Sequence, residues 1–185
     1  RLICFLAAVC IASSLALAQG TNEVKSVNVV GYLKVNVAVG WNQIAFNWKG
    51  ISLEDTSLQD LFATNGLTGG DDWGNSDRIY VWDGLDYKKF YLYSYDGLWY
   101  TFPGDLVATN TIQKGQAFWL LHRGSPSVST IVGEVPNNPS NTVTFAVGWN
   151  MFGSAYSAEL DIDGQDWSQC TGGDDWGNSD RIYIW

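Results

Sequence analysis

RIYVWDGLDYKKFYLYSYDGLWYTF, residues 78–102, decides how this chain is read. Apolar and aromatic residues run in three short stretches, 78–82, 88–95 and 98–102. Asp83-Gly84 and Asp96-Gly97 stand between them. β-Branched and aromatic residues favour extended backbone, and Asp-Gly supplies the positive φ that tight hairpin turns require. Three antiparallel strands are expected here. The same period of two continues outward. Over 41–48, Asn42, Ile44, Phe46 and Trp48 form the more apolar face, with Trp41, Gln43, Ala45 and Asn47 opposite. The stretches 26–39, 117–122 and 127–135 complete a strand set. One helix is expected over 58–64. Ser57 caps it, Leu58, Leu61 and Phe62 line its apolar side, and Gly66 ends it. The fold class is therefore all-β, an antiparallel, sandwich-like unit with one short helix.

The string TGGDDWGNSDRIY at 68–80 returns unchanged at 171–183. Val39-Gly40-Trp41-Asn42 returns as Val147-Gly148-Trp149-Asn150. Such a match marks an internal repeat, and its unit is longer than the roughly 20–50 residues of solenoid repeats. The expected division is a first unit at 19–135, a linker at 136–141 in the Pro- and Asn-rich EVPNNPSN stretch, and a truncated second unit at 142–185. A chain that opens on Arg1 and stops within the second copy reads as a fragment. The identity of the two strings, amid divergence elsewhere, has three readings: a retained site, recombination between repeats, or a break in sequence assembly.

Residues 1–18 read as a secretory signal peptide: Arg1, an apolar run, then Ala16-Leu17-Ala18 as the cleavage site. No other stretch is long and apolar enough to span a bilayer. Without the leader, nine Lys and Arg face nineteen Asp and Glu. So acidic a surface disfavours nucleic acid and anionic membranes. Cys4 and Cys10 leave with the leader, so Cys170 is the only mature cysteine and no internal disulfide can form. Export to the medium or the cell surface is the expected localisation.

The order Gly-Trp-Asn-x-Ile, Ile-Tyr-Val-Trp-Asp-Gly, an aromatic hairpin, Lys-Gly-Gln-Ala-Phe-Trp and Val-Gly-Glu-Val resembles a β-rich module. That module occurs in exported proteins of bacteria related to the Verrucomicrobia and Planctomycetes. The resemblance covers about residues 24–135 and resumes from 141. It implies export and fold but no reaction, and the Gly-Gly-Asp-Asp-Trp-Gly-Asn insert departs from it.

Two constellations are candidates for function. In the first, Asp71, Asp72, Asn75 and Asp77 place four oxygen-bearing side chains on a tight Gly-rich loop, and Asp174, Asp175, Asn178 and Asp180 repeat it. Hard oxygen donors on a curled backbone suit Ca²⁺, although the spacing is not that of the twelve-residue Ca²⁺ loop. The competing reading is an Asx turn whose carboxylates accept from nearby backbone N–H groups. The second is the aromatic ladder over 80–102. Either it exposes a platform that stacks on sugar rings, with Trp99, Tyr95 and Trp82 as the contact residues, or both its faces are covered. Trp99 is expected to face out, because it follows the Asp96-Gly97 turn.

Catalysis finds little support. His122, the only histidine, has no motif around it and reads as a surface or capped residue. No Cys/His spacing suggests zinc, and no Gly-rich phosphate loop is present. The chain reads as a non-enzymatic, structural or adhesive module. The alternative is a carbohydrate-binding module attached to a catalytic region, and a hydrolase is the weakest class. The expected partners are an extracellular glycan or another surface protein.

Overall fold

The computed structural model describes residues 29–45, 56–61, 66–135, 143–154 and 161–185. The leader expected at 1–18 and the linker at 136–141 lie outside the described residues. Among the described residues there are nine strands and no helix. They are β1 (Val29–Val37), β2 (Gly40–Ala45), β3 (Thr56–Ser57), β4 (Arg78–Trp82), β5 (Tyr87–Leu92), β6 (Trp99–Phe102), β7 (Thr111–Ile112), β8 (Ala117–His122) and β9 (Ser127–Val135). The chain is all-β, and every pairing between these strands is antiparallel.

The central sheet has the order β2-β8-β4-β5-β6. Its meander is the quoted stretch. Gly84 and Gly97 take φ of 101° and 73° in the two turns, a region that L side chains adopt only with strain. β8 returns late in the chain and wedges between β2 and β4. A two-stranded ribbon pairs β1 with β9 from Val29↔Val135 to Val37↔Ser127. A third, short pairing joins β3 to β7.

Alternation along these strands sends one set of side chains into a single core. Ile44, Ile79, Val81, Phe90, Leu92, Trp99, Phe118 and Leu120 enter from the central sheet. Val37 and Ile131 enter from the ribbon, with Leu58, Leu61 and Ile112 from the β3/β7 region. Each buried aliphatic or aromatic side chain contributes roughly 1.5–3 kcal/mol relative to exposure.

The expected helix is not found where it is described. Thr56–Ser57 pairs as β3, and residues 58–60 form a turn. Ser57 still caps, its Oγ accepting from the Gln59 N–H at 3.1 Å. Leu58 and Leu61 are buried, so the apolar spacing serves a turn over the core. Residues 62–65 lie outside the described residues.

The second copy carries no strand among its described residues. Its Arg-Ile-Tyr is identical to the start of β4, which is held between β5 and β8. No strand flanks residues 181–185 among the described residues. A strand is therefore a property of neighbours, and the same sequence forms no ladder without them.

Candidate functional site

The acidic loop resolves into two parts with different roles. Asp71, Asp72 and Asn75 lie together at the surface and bond to one another and to the loop backbone. The Asp72 carboxylate accepts from the N–H groups of Gly74 and Asn75, and the Asn75 amide donates to Asp71. That amide bond, helped by a backbone N–H, holds the Asp71 carboxyl below the usual carboxylate range. Ser76 Oγ donates to the Asp72 carbonyl. A Cβ on Gly70 would stand 2.1 Å from Asn75 Oδ1, so the curl admits only glycine there.

Asp77 points the other way. It is fully buried, and its carboxylate accepts from the Thr68 N–H at 2.8 Å and the Arg123 N–H at 2.7 Å. His122 Nδ1 lies 2.7 Å from Asp77 Oδ2, and His122 Nε2 lies 2.7 Å from the Ser125 carbonyl. Both ring nitrogens are thus engaged by oxygen atoms, one on a side chain and one on the backbone. Asp77 thus ties the base of the loop to the end of β8. It is not grouped with Asp71, Asp72 and Asn75 around a common centre. Among the described residues, no group of three or more His, Cys, Asp or Glu is arranged to hold a metal ion.

The second loop repeats this local pattern. The Thr171 N–H donates to Asp180 at 2.7 Å, and Gly177 and Asn178 donate to Asp175. Asn178 donates to both Asp174 and Asp175. Here Asp180 is exposed, and no histidine meets it.

Pinned at its base, the first loop lays Trp73 on the outer face of the central sheet. Trp73 stacks on Phe102 at 4.2 Å, and the Arg78 guanidinium lies 4.3 Å from its ring centre. Arg78 Nε also donates to the Trp73 carbonyl at 2.7 Å. The face continues through Trp41, Trp119, Tyr80, Trp82, Tyr87, Tyr91 and Tyr100, all on the side of their strands away from the core. Burial first, and the hydrogen bond to Asp105 second, push the Tyr91 phenol up to about 12. The Asp96 carboxylate likewise raises Tyr100.

Between the expected alternatives, the structure makes this face half covered. Trp41 is 49% exposed, and most of its neighbours are intermediate. A recess of about 380 Å³ lies among Trp41, Tyr80, Tyr87, Trp119 and Trp185. Trp185, from the second copy, meets Trp119 edge-on at 4.8 Å.

The three expected platform residues separate. Trp82 belongs to the outer face, 5.0 Å from Tyr87. Tyr95 is 89% exposed in the hairpin connection, beside Tyr93. Trp99 is a correction, because at 0% exposure it is a core residue. Its cross-strand partner is Leu92. Residues directly opposite in an antiparallel pair share a face, so the buried Leu92 carries Trp99 inward and Tyr100 outward. Gln59, which no pattern marked, holds Trp99 in place. Its amide accepts from the Trp99 N–H at 2.8 Å and donates to the Trp99 carbonyl at 2.9 Å.

Comparison with known protein families, curated proteins and solved structures finds no match to this chain.

Proposed function

We propose that the chain is an exported, non-enzymatic β-repeat protein that acts as a structural or adhesive module at or outside the cell surface. The observation that carries this reading is the outer aromatic face. It is a broad set of rings on a rigid sheet, half open to solvent, with an apolar recess. Contiguous exposed apolar surface of this kind marks an interaction site. The polar groups of the acidic loop and of the Asp77–His122 pair serve as scaffold in this reading. The acidic loop is an Asx turn that aims Trp73, and Asp77 with His122 anchors it. Antibody raised against residues 78–102 is expected to label intact producing cells or their medium. Signal that appears only after permeabilisation would sink the export reading.

A second reading, a carbohydrate-binding module, is favoured by the exposure of Trp41 at the rim of the recess. Under it, the chain sediments with insoluble polysaccharides, and Trp41→Ala lowers retention by about tenfold, the loss of one stacking ring. Equal retention of the variant and the parent removes the platform.

A further inference from the structure

The repeat makes Trp82 and Trp185 equivalent, and likewise Trp41 and Trp149. The Trp82 indole N–H donates to the Trp149 carbonyl at 2.7 Å. In return, Trp185 meets Trp119 edge-on and lines the recess whose rim also carries Trp41. The two placements correspond: the β4-type tryptophan of one copy bonds the Gly-Trp-Asn segment of the other, and its equivalent lines the same recess as the matching segment. Such correspondence is what an isologous contact requires, one patch meeting its own copy across a two-fold axis.

Two further observations extend the contact. The Gly153 N–H donates to the Gly115 carbonyl at 3.0 Å, and Phe152 forms an antiparallel bridge with Gln116. The second copy also rebuilds the outer-face cluster without a sheet beneath it. Trp149 lies 5.4 Å from Tyr183, as Trp41 lies 5.1 Å from Tyr80. Trp176 meets Tyr183 edge-on, and Arg181 sits over Trp176, as Arg78 sits over Trp73.

We propose that the outer aromatic face is a pairing surface for a second copy of the same unit, the two faces meeting across an approximate two-fold axis. The proposal rests on the structural-module reading and names its partner. Trp185 touches by its edge and stays 77% exposed, so the contact is shallow. Tethering through the expected linker, residues 136–141, makes a shallow contact sufficient, because a short link holds the partner at about millimolar effective concentration. A closed, two-fold pair also uses up the apolar surface, whereas a one-way contact would repeat without end.

The test uses the full chain and reads hydrogen exchange at the Gly153 amide. Two-fold pairing makes Trp82→Ala and Trp185→Ala act alike. Each raises exchange there by about threefold or more, the loss of one aromatic contact. Trp82→Phe keeps a ring and loses only the N–H, and is expected to fall between Trp82→Ala and the parent. The melting transition of the first unit reports that the variants remain folded. An effect of Trp185→Ala alone would overturn the two-fold arrangement in favour of a one-way socket. No effect from either variant would remove the pairing altogether and leave the export result untouched. A soluble oligosaccharide that accelerates Gly153 exchange in the parent by competing for the face would reassign that face to glycan.

Discussion

Trp99→Ala is expected to destabilise the first unit by about 3–5 kcal/mol, the range for deleting a large buried aromatic side chain. Trp99 is fully buried and joins β6 to the same core as Phe90, Leu92 and Ala108. A domain of this kind has only about 5–15 kcal/mol of total stability, so the loss consumes a large share of it. Urea unfolding, followed by far-UV circular dichroism, measures it as a fall in midpoint at constant slope. Phe102→Ala, on the same strand but 38% exposed, is expected to cost clearly less. If the two variants cost the same, the assignment of inner and outer faces is wrong.

The second large effect belongs to Asp77. Removing its carboxylate leaves His122 Nδ1 and the N–H groups of Thr68 and Arg123 without their acceptor in a buried site. Breaking a buried, hydrogen-bonded pair from one side costs about 3–5 kcal/mol, more than the pair contributes net. Asp77→Ala should therefore unfold at much lower urea than the parent. His122→Phe alone removes one of the three partners of the buried carboxylate and is also expected to be costly. The double variant, Asp77→Leu with His122→Phe, should cost less than the sum of the two single changes, because neither side chain is left facing a missing partner. Strict additivity would show that the two side chains act independently.

Much of the fold was legible, for identifiable reasons. β4, β8 and β9 are where alternation placed them, because one face of each is buried and period two then marks the strand. The two Asp-Gly turns were legible from chemistry alone. What composition cannot carry is parity. Trp99 and Tyr100 are equally good outward residues by type, and only the register Leu92↔Trp99 decides between them. Of the helix expected over 58–64, the described residues 58–60 form a turn, since apolar spacing at 58 and 61 suits a turn as well as a helical face. Of the candidate site, the loop was legible as a unit but its division was not. Asp77 and His122 lie 45 residues apart and meet only once β8 has wedged beside β4. A lone histidine gives no periodic signal. The clue in the sequence was weak: the acidic string ends one residue before a strand, so its last carboxylate starts at the sheet.

The Gln59 amide has a further consequence for how the protein meets other polypeptides. A terminal strand normally offers a row of unbonded N–H and C=O groups, a template for accidental sheet extension and fibril growth. At β6 that template is closed. Gln59 occupies both backbone groups of Trp99, the Ala108 N–H bonds the Trp99 carbonyl, and the Thr101 N–H bonds the Leu106 carbonyl. The side-chain amide and the backbone of residues 106–108, bridged antiparallel at Tyr100↔Val107, together do there what another strand would do. Along these residues, then, a protein rich in extended, aromatic sequence is shielded from edge-to-edge aggregation on its β6 side.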